Sequence, residues 1–250
     1  MMQPARRWDR GRLTAVVMLL AIGLLAGRYT LLGGGTGMSV AAMSTLSFPP
    51  PVPTIDFAGA WDGAYWLTMT GMWLAMMMAM MAPSAAVAAA GHRSDQGSWR
   101  YRDGIWFALG YLLPWLGYAI AGTLVQAAFE SAGLLHGIKM WSTYWLLSAG
   151  LLAIAGGYQF SGWKARSLSH CRRASSNRPS RSDGVRAGLA CVGSCWLLML
   201  LLFVGGLMNA YWMVALAIVA IAERLLPANL RFETGVGFGL LAAAAYVVAG

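Results

Sequence analysis

The stretch GLACVGSCWLLMLLLFVGGLMNAYWMVALAIVAIA, residues 188–222, carries no charged side chain. As a single helix it would reach about 50 Å at 1.5 Å per residue, far beyond a hydrocarbon core of roughly 30 Å. Its middle, GGLMN (205–209), offers two glycines and an asparagine, residues that break helices. The stretch therefore reads as two short spans joined by a tight hairpin, and that split sets the topology of the whole chain.

The rest of the 250-residue chain follows the same logic. It is 58% hydrophobic and only 11% charged, against about 25% charged residues in ordinary soluble domains. Long apolar runs separated by short polar breaks give seven spans: about 13–32, 64–90, 104–128, 140–162, 187–205, 208–224 and 234–250. With the N-terminus inside, sixteen of the eighteen Lys and Arg residues fall on inner segments, and only Arg28 and Lys139 fall outside. This is the bias that orients membrane proteins. Without the break at Gly205 the last basic loop would lie outside. The expected fold class is thus all-α: a polytopic integral membrane helical bundle of about seven transmembrane helices, N-in and C-out. The net charge of +9 marks inner loops and contact with the lipid bilayer rather than nucleic acid.

Several segments need a separate reading. ARRWDRGRLTAVVMLLAIGLLAG has a basic start and an apolar core, and reads as a retained signal-anchor rather than a cleaved signal. Residues 33–62, containing SFPPPVPT, read as an extended external loop. Residues 163–186 read as a basic cytoplasmic loop, an orientation signal and a lipid-facing patch. Trp61, Trp66, Trp141, Tyr144 and Trp145 suit an outer aromatic belt, and Tyr101, Trp106 and Trp163 an inner one. Glu130, Asp62, His92 and His136 read as interfacial. Pro83 and Pro114 are expected to weaken or bend their helices. No phosphate loop, H-E-x-x-H or G-x-S-x-G is present, and the chain reads as a non-enzyme.

The chemistry on offer is soft. Seven of the sixteen residues in MTGMWLAMMMAMMAPS (69–84) are methionine. Met69, Met72, Met76 and Met80 share one helical line, and Met77 and Met81 share the next. Methionine is a flexible core filler, and its thioether is also a ligand suited to Cu(I). The row alone reads as packing; it becomes a ligand row if other soft donors face it. Cys191, Cys195 and Met199 lie four apart on one face of the fifth span. Cys195 and Met199 fall at about the depth of Met76 and Met80, so sulfurs would converge if spans two and five are neighbours. His170 and Cys171 follow the fourth span, in the cytoplasmic loop, near the same membrane side as Cys191. Small, packable cysteines in a small-residue stretch are the competing explanation.

MWLAMMMAMMAPS, GGYQFSGWKARSLSHCR and GLACVGSCWLLMLLLFVGGLMNAYWMVALAIVAIAERLLP together resemble the bacterial DUF2182 family, described as predicted metal-binding integral membrane proteins. The similarity covers roughly residues 61–228. It implies a multi-pass protein of the bacterial inner membrane, with Met76, Met77, Met80, Met81, Pro83, Cys171, Cys191, Cys195, Met199, Met208 and Asn209 as the residues to watch. Relatives often carry C-L-x-x-C after the fourth span; here Ser167 stands at the first position, and His170 offers an imidazole in its place. The candidate metal set is therefore Met72, Met76, Met77, Met80, Met81, His170, Cys171, Cys191, Cys195, Met199 and Met208. The expected cargo is copper as Cu(I), with zinc second, for storage, transfer or translocation. The alternative is a structural or assembly subunit whose Met and small residues pack against a membrane-protein partner or a second copy. A transporter of an organic solute is a third reading, weakened because no intramembrane charge stands out.

Overall fold

The structure is a computed structural model, and it describes residues 10–34, 40, 44, 46, 61–91, 100–135, 140–172, 181–227 and 230–249. Among them there are helices and one isolated bridge between Leu135 and Ser142, but no strand. The helices are α1 (Arg10–Leu31), α2 (Gly63–Gly91), α3 (Tyr101–Ser131), α4 (Trp145–Gln159), α5 (Gly162–Arg172), α6 (Arg181–Leu200), the single turn α7 (Leu202–Gly205), α8 (Ala210–Leu225) and α9 (Phe232–Ala249). His92, His136, Lys139 and most of the 33–62 segment lie outside the described residues.

Five stretches are long and apolar enough to cross a membrane: Arg10–Leu31, Gly63–Ala90, Tyr101–Ser131, Ser182–Gly205 and Phe232–Ala249. They correspond to the first, second, third, fifth and seventh expected spans. The other two are shorter helices. α4 has 15 residues and α8 has 16, or about 22–24 Å at 1.5 Å per residue, less than a full core thickness. The shortening of α4 has a local cause. Met140 adopts a positive φ of 52°, which a side chain other than glycine rarely takes and which no helix continues through. Residues 140–142 turn inward instead, with the Ser142 N–H donating to the Phe203 carbonyl at 2.8 Å. Trp141 is consequently 1% exposed, so it belongs to the core and not to the outer aromatic belt.

The break in the 188–222 stretch is real and falls at Gly206, whose φ of 99° suits glycine. Asn209 then caps α8, its side-chain oxygen accepting from the Tyr211 N–H at 3.2 Å while its amide donates to the Gly205 carbonyl at 3.0 Å. Trp212 folds back over the turn and donates Nε1–H to the Leu201 carbonyl at 2.7 Å. Ser44, from the Pro-containing segment, accepts the Ala210 N–H at 3.0 Å. Both proline-containing helices run on through Pro83 and Pro114.

Packing makes α2 and α3 the centre. α1 lies along α2, and both touch α3; α3 lies along α6; α4 pairs with α9; α5 lies on α6; α2 also meets α8. α2 is largely buried, whereas α1 and α9 are mostly outward-facing. Leu24, Leu67, Ile154 and Phe238 are among the large apolar side chains left exposed. In a chain of this composition they form the surface that meets lipid.

One expectation needs correction. Residues 162–172, read as the start of an exposed basic loop, form α5. Lys164 in that helix is 1% exposed, and its ammonium lies 2.7 Å from the Glu223 carboxylate on α8. Arg224 is also buried. Buried charges are thus present after all. They stand just beyond the uncharged stretch, where charge counting assigns them to loops.

Candidate metal centre

α6 reaches α3 through a glycine face. A Cβ on Gly184 would overlap the Phe107 carbonyl, and one on Gly188 would meet the Tyr111 carbonyl and the Pro114 ring. This G-x-x-x-G spacing lets the two backbones close up. Close approach brings the Tyr111 hydroxyl to Cys191, where it donates to Sγ at 3.1 Å. One turn on, the Cys195 thiol donates to the Cys191 carbonyl at 3.0 Å, and Ser194 donates to the same carbonyl at 2.8 Å. α5 completes the group. It packs on α6 with Ser167 against Gly193, and its last turn delivers Cys171. The Cys191 thiol interacts with those of both Cys171 and Cys195. All three cysteines are unpaired by disulfide and buried, at 5%, 2% and 3% exposure.

A cation faces this group. Arg224, in the last turn of α8, donates to the Ser84 hydroxyl at 2.6 Å and to the Cys171 carbonyl at 3.0 Å. Both acceptors are neutral. A buried guanidinium is costly unless anionic groups balance it. The thiols of Cys171, Cys191 and Cys195 are close enough to interact with its charge, and as thiolates they would balance it. The neighbouring Lys164–Glu223 pair holds α5 against α8, which keeps Cys171 in place.

The methionine row is buried. Met69, Met72, Met76, Met77 and Met81 are at most 1% exposed and Met80 is 5% exposed; Met199 and Met208 are fully enclosed. All belong to the same contiguous core as the three cysteines. Among the described residues, however, α2 and α6 share no extended contact, and each packs on α3. Trp73 of α2 meets Phe203 beyond α6 at 5.4 Å between ring centroids. The tie between α2 and the thiols runs through Ser84 and Arg224. Two apolar clefts touch the row only at Met78 and Met80, and neither is lined by a cysteine.

Of the expected ligands, the structure brings Cys171, Cys191 and Cys195 together. It leaves His170 apart: that ring is exposed, with Nδ1 2.8 Å from the Arg166 carbonyl oxygen. No group of three or more His, Cys, Asp or Glu is arranged as a finished metal cage among the described residues. Hydrogen bonds hold Cys191 to the Tyr111 hydroxyl and Cys195 to the Cys191 carbonyl, and loading the thiols requires side-chain adjustment. Their chemistry suits a soft monovalent ion. Sequence reasoning missed Tyr111, Ser84, Arg224 and the Lys164–Glu223 pair. The signal for the last three charges was their position: Glu223 and Arg224 directly follow an uncharged run, and Lys164 directly follows an apolar span.

A family model for PpoB2, described as a copper chaperone, matches residues 70–247. No curated protein and no solved structure matches the chain. The matched span contains all three cysteines, Arg224 and the row from Met72 to Met81, and it supports a copper-related reading under a family name other than DUF2182. Since it covers well over half of the residues, the chain belongs to the PpoB2 copper chaperone family.

Proposed function

We propose that the chain is a membrane-embedded Cu(I) carrier that holds its cargo on Cys191 and Cys195, with Cys171 as the third donor, and passes it to a protein partner. The observation that carries this reading is the convergence of three buried thiols under a buried guanidinium. Thiolate is the soft ligand that selects Cu(I). Each thiol that binds as thiolate releases its proton, so Cu(I) on the thiolates of Cys191 and Cys195, with Cys171 alongside as a neutral thiol, carries a net charge of −1. Arg224 supplies the balancing charge in a medium where an unbalanced one is expensive.

The thioethers of Met72, Met76, Met77, Met80, Met81, Met199 and Met208 are neutral and weaker donors. The five on α2 offer a graded route along that helix, with the thiols as its tight end. The chain does no covalent chemistry of its own: it exchanges one set of sulfur ligands for another. Its setting is a bacterial inner membrane, spanned seven times with the N-terminus inside, and α4 and α8 cross by virtue of their packing against α9 and α2.

The test is competition between the full chain in lipid nanodiscs and Cu(I) chelators of graded affinity. Wild type should hold about one tight Cu(I) per chain, and Cys191→Ser/Cys195→Ser should weaken it by at least about 100-fold, the equivalent of roughly 2.7 kcal/mol. A chain that stays metal-free at sub-micromolar free Cu(I), with the variant indistinguishable from it, would instead favour a packing or assembly role.

A further inference from the structure

At the other end of the bundle a second set of soft donors converges on one amide. Gln126, on α3, is fully buried. Its oxygen accepts the Trp73 Nε1–H at 2.8 Å. Indole nitrogen only donates, so the amide orientation is fixed and Nε2 must point the other way. There it faces three acceptors: Glu130 Oε1 at 2.8 Å, Met69 Sδ at 3.6 Å and Met140 Sδ at 3.5 Å. An amide nitrogen carries two protons. Three acceptors, one of them anionic, exceed what it can donate.

The protein has gone to some length to build this arrangement. Met140 holds its positive φ of 52°, and it is 3% exposed. Glu130 is partly buried, and its second oxygen accepts the Trp61 Nε1–H at 3.1 Å. Two thioethers and one carboxylate gathered on one amide are a donor set that matches a soft monovalent cation.

We propose that Met69, Met140 and Glu130 form a second soft-cation site, an exchange site for Cu(I) at the opposite end of the bundle from the thiols, with Gln126 as the placeholder that the ion displaces. The proposal rests on the copper reading of the chain. Met69 precedes Ser84 by fifteen residues on α2, and Gln126 follows Tyr111 by fifteen on α3. Both helices therefore put the two sites about 22 Å apart. Met72, Met76, Met77, Met80 and Met81 occupy the intervening length of α2. The thioether site is the weaker of the two, which suits an ion that must leave it again.

The experiment is metal stoichiometry of the full chain in nanodiscs, with Ag(I) as a closed-shell probe alongside Cu(I). Wild type should take one tight and one weaker equivalent. Met69→Leu/Met140→Leu, a nearly volume-conserving change, should lose only the weaker one, and Glu130→Gln should weaken it at least about tenfold. A chain with all three cysteines changed to Ser should keep the weaker equivalent. If the Met variant retains both equivalents, or if the cysteine-free chain binds nothing while wild type binds, the outer site is overturned and the thiol reading stands. If the cysteine-free chain matches wild type in full, the thiol reading falls and the outer site survives.

Discussion

Removing one partner of the Lys164–Glu223 pair should be the most damaging conservative change outside the thiols. The ammonium and carboxylate are 2.7 Å apart and 1% and 2% exposed. At that distance and an effective dielectric of about 20, the gross attraction is about 6 kcal/mol. Much of it is offset by the desolvation of both ions, so the pair itself contributes little net stability. Deleting one member leaves the other buried and uncompensated, which costs about 3–5 kcal/mol. Lys164→Met and Glu223→Gln should each lower unfolding free energy by about that much, measured by denaturant titration in mixed micelles. The double variant Lys164→Met/Glu223→Gln should recover most of the loss, giving a coupling energy above about 2 kcal/mol. Because the pair docks α5, each single variant should also loosen Cys171 and weaken Cu(I) binding. Single variants within about 0.5 kcal/mol of wild type and strictly additive in the double would refute the reasoning, since that is how unremarkable surface positions behave.

Other changes probe the same framework. Gly184→Ala puts a methyl against the Phe107 carbonyl and should cost about 1–3 kcal/mol in thermal unfolding as α3 and α6 are forced apart. Arg224→Gln should lower Cu(I) affinity at least about tenfold, or roughly 1.4 kcal/mol, in chelator competition, and Arg224→Lys should restore part of it. His170→Ala should leave that affinity within about twofold, because the ring lies outside the thiol cluster and surface substitutions cost little. Trp73→Phe strands the Gln126 oxygen and should cost about 1–3 kcal/mol of stability.

The all-helical class and the five long apolar helices were legible because hydropathy alone carries that information. The break near Gly205 was legible for a different reason: a glycine pair interrupts an otherwise helical run, and Gly206 takes a φ of 99° that few other residues tolerate. α4 was read too long because residues 140–144 are apolar enough for a span, yet 140–142 turn into the core at Met140. Nothing in hydropathy separates a residue buried by lipid from one buried by its own protein. The same blindness put Trp141 in the aromatic belt.

The site divides in the same way. The spacing of Cys191 and Cys195 places them on one helical face, and Cys171 sits at the same end because α5 folds back along α6. That much follows from short-range geometry. Lys164 and Arg224 were counted with the inner loops, and Glu223 fell within the end of the sixth span, because a charge beside an apolar run looks like a span end. Their partners lie far off in the chain: 59 residues separate Lys164 from Glu223, and 140 separate Ser84 from Arg224. Only tertiary packing pairs them. Gln126 likewise carries no signal of its own within a long helix; only packing brings Trp73, Met69 and Met140 around it.

The copper K-edge absorption spectrum of the full chain, loaded with one equivalent of Cu(I), bears most directly on whether the buried thiols hold the ion. A first shell made of sulfur alone in wild type, replaced by a weaker or mixed shell in Cys191→Ser/Cys195→Ser, is the predicted result. A shell of oxygen and nitrogen, or one that is identical in the variant, would contradict it.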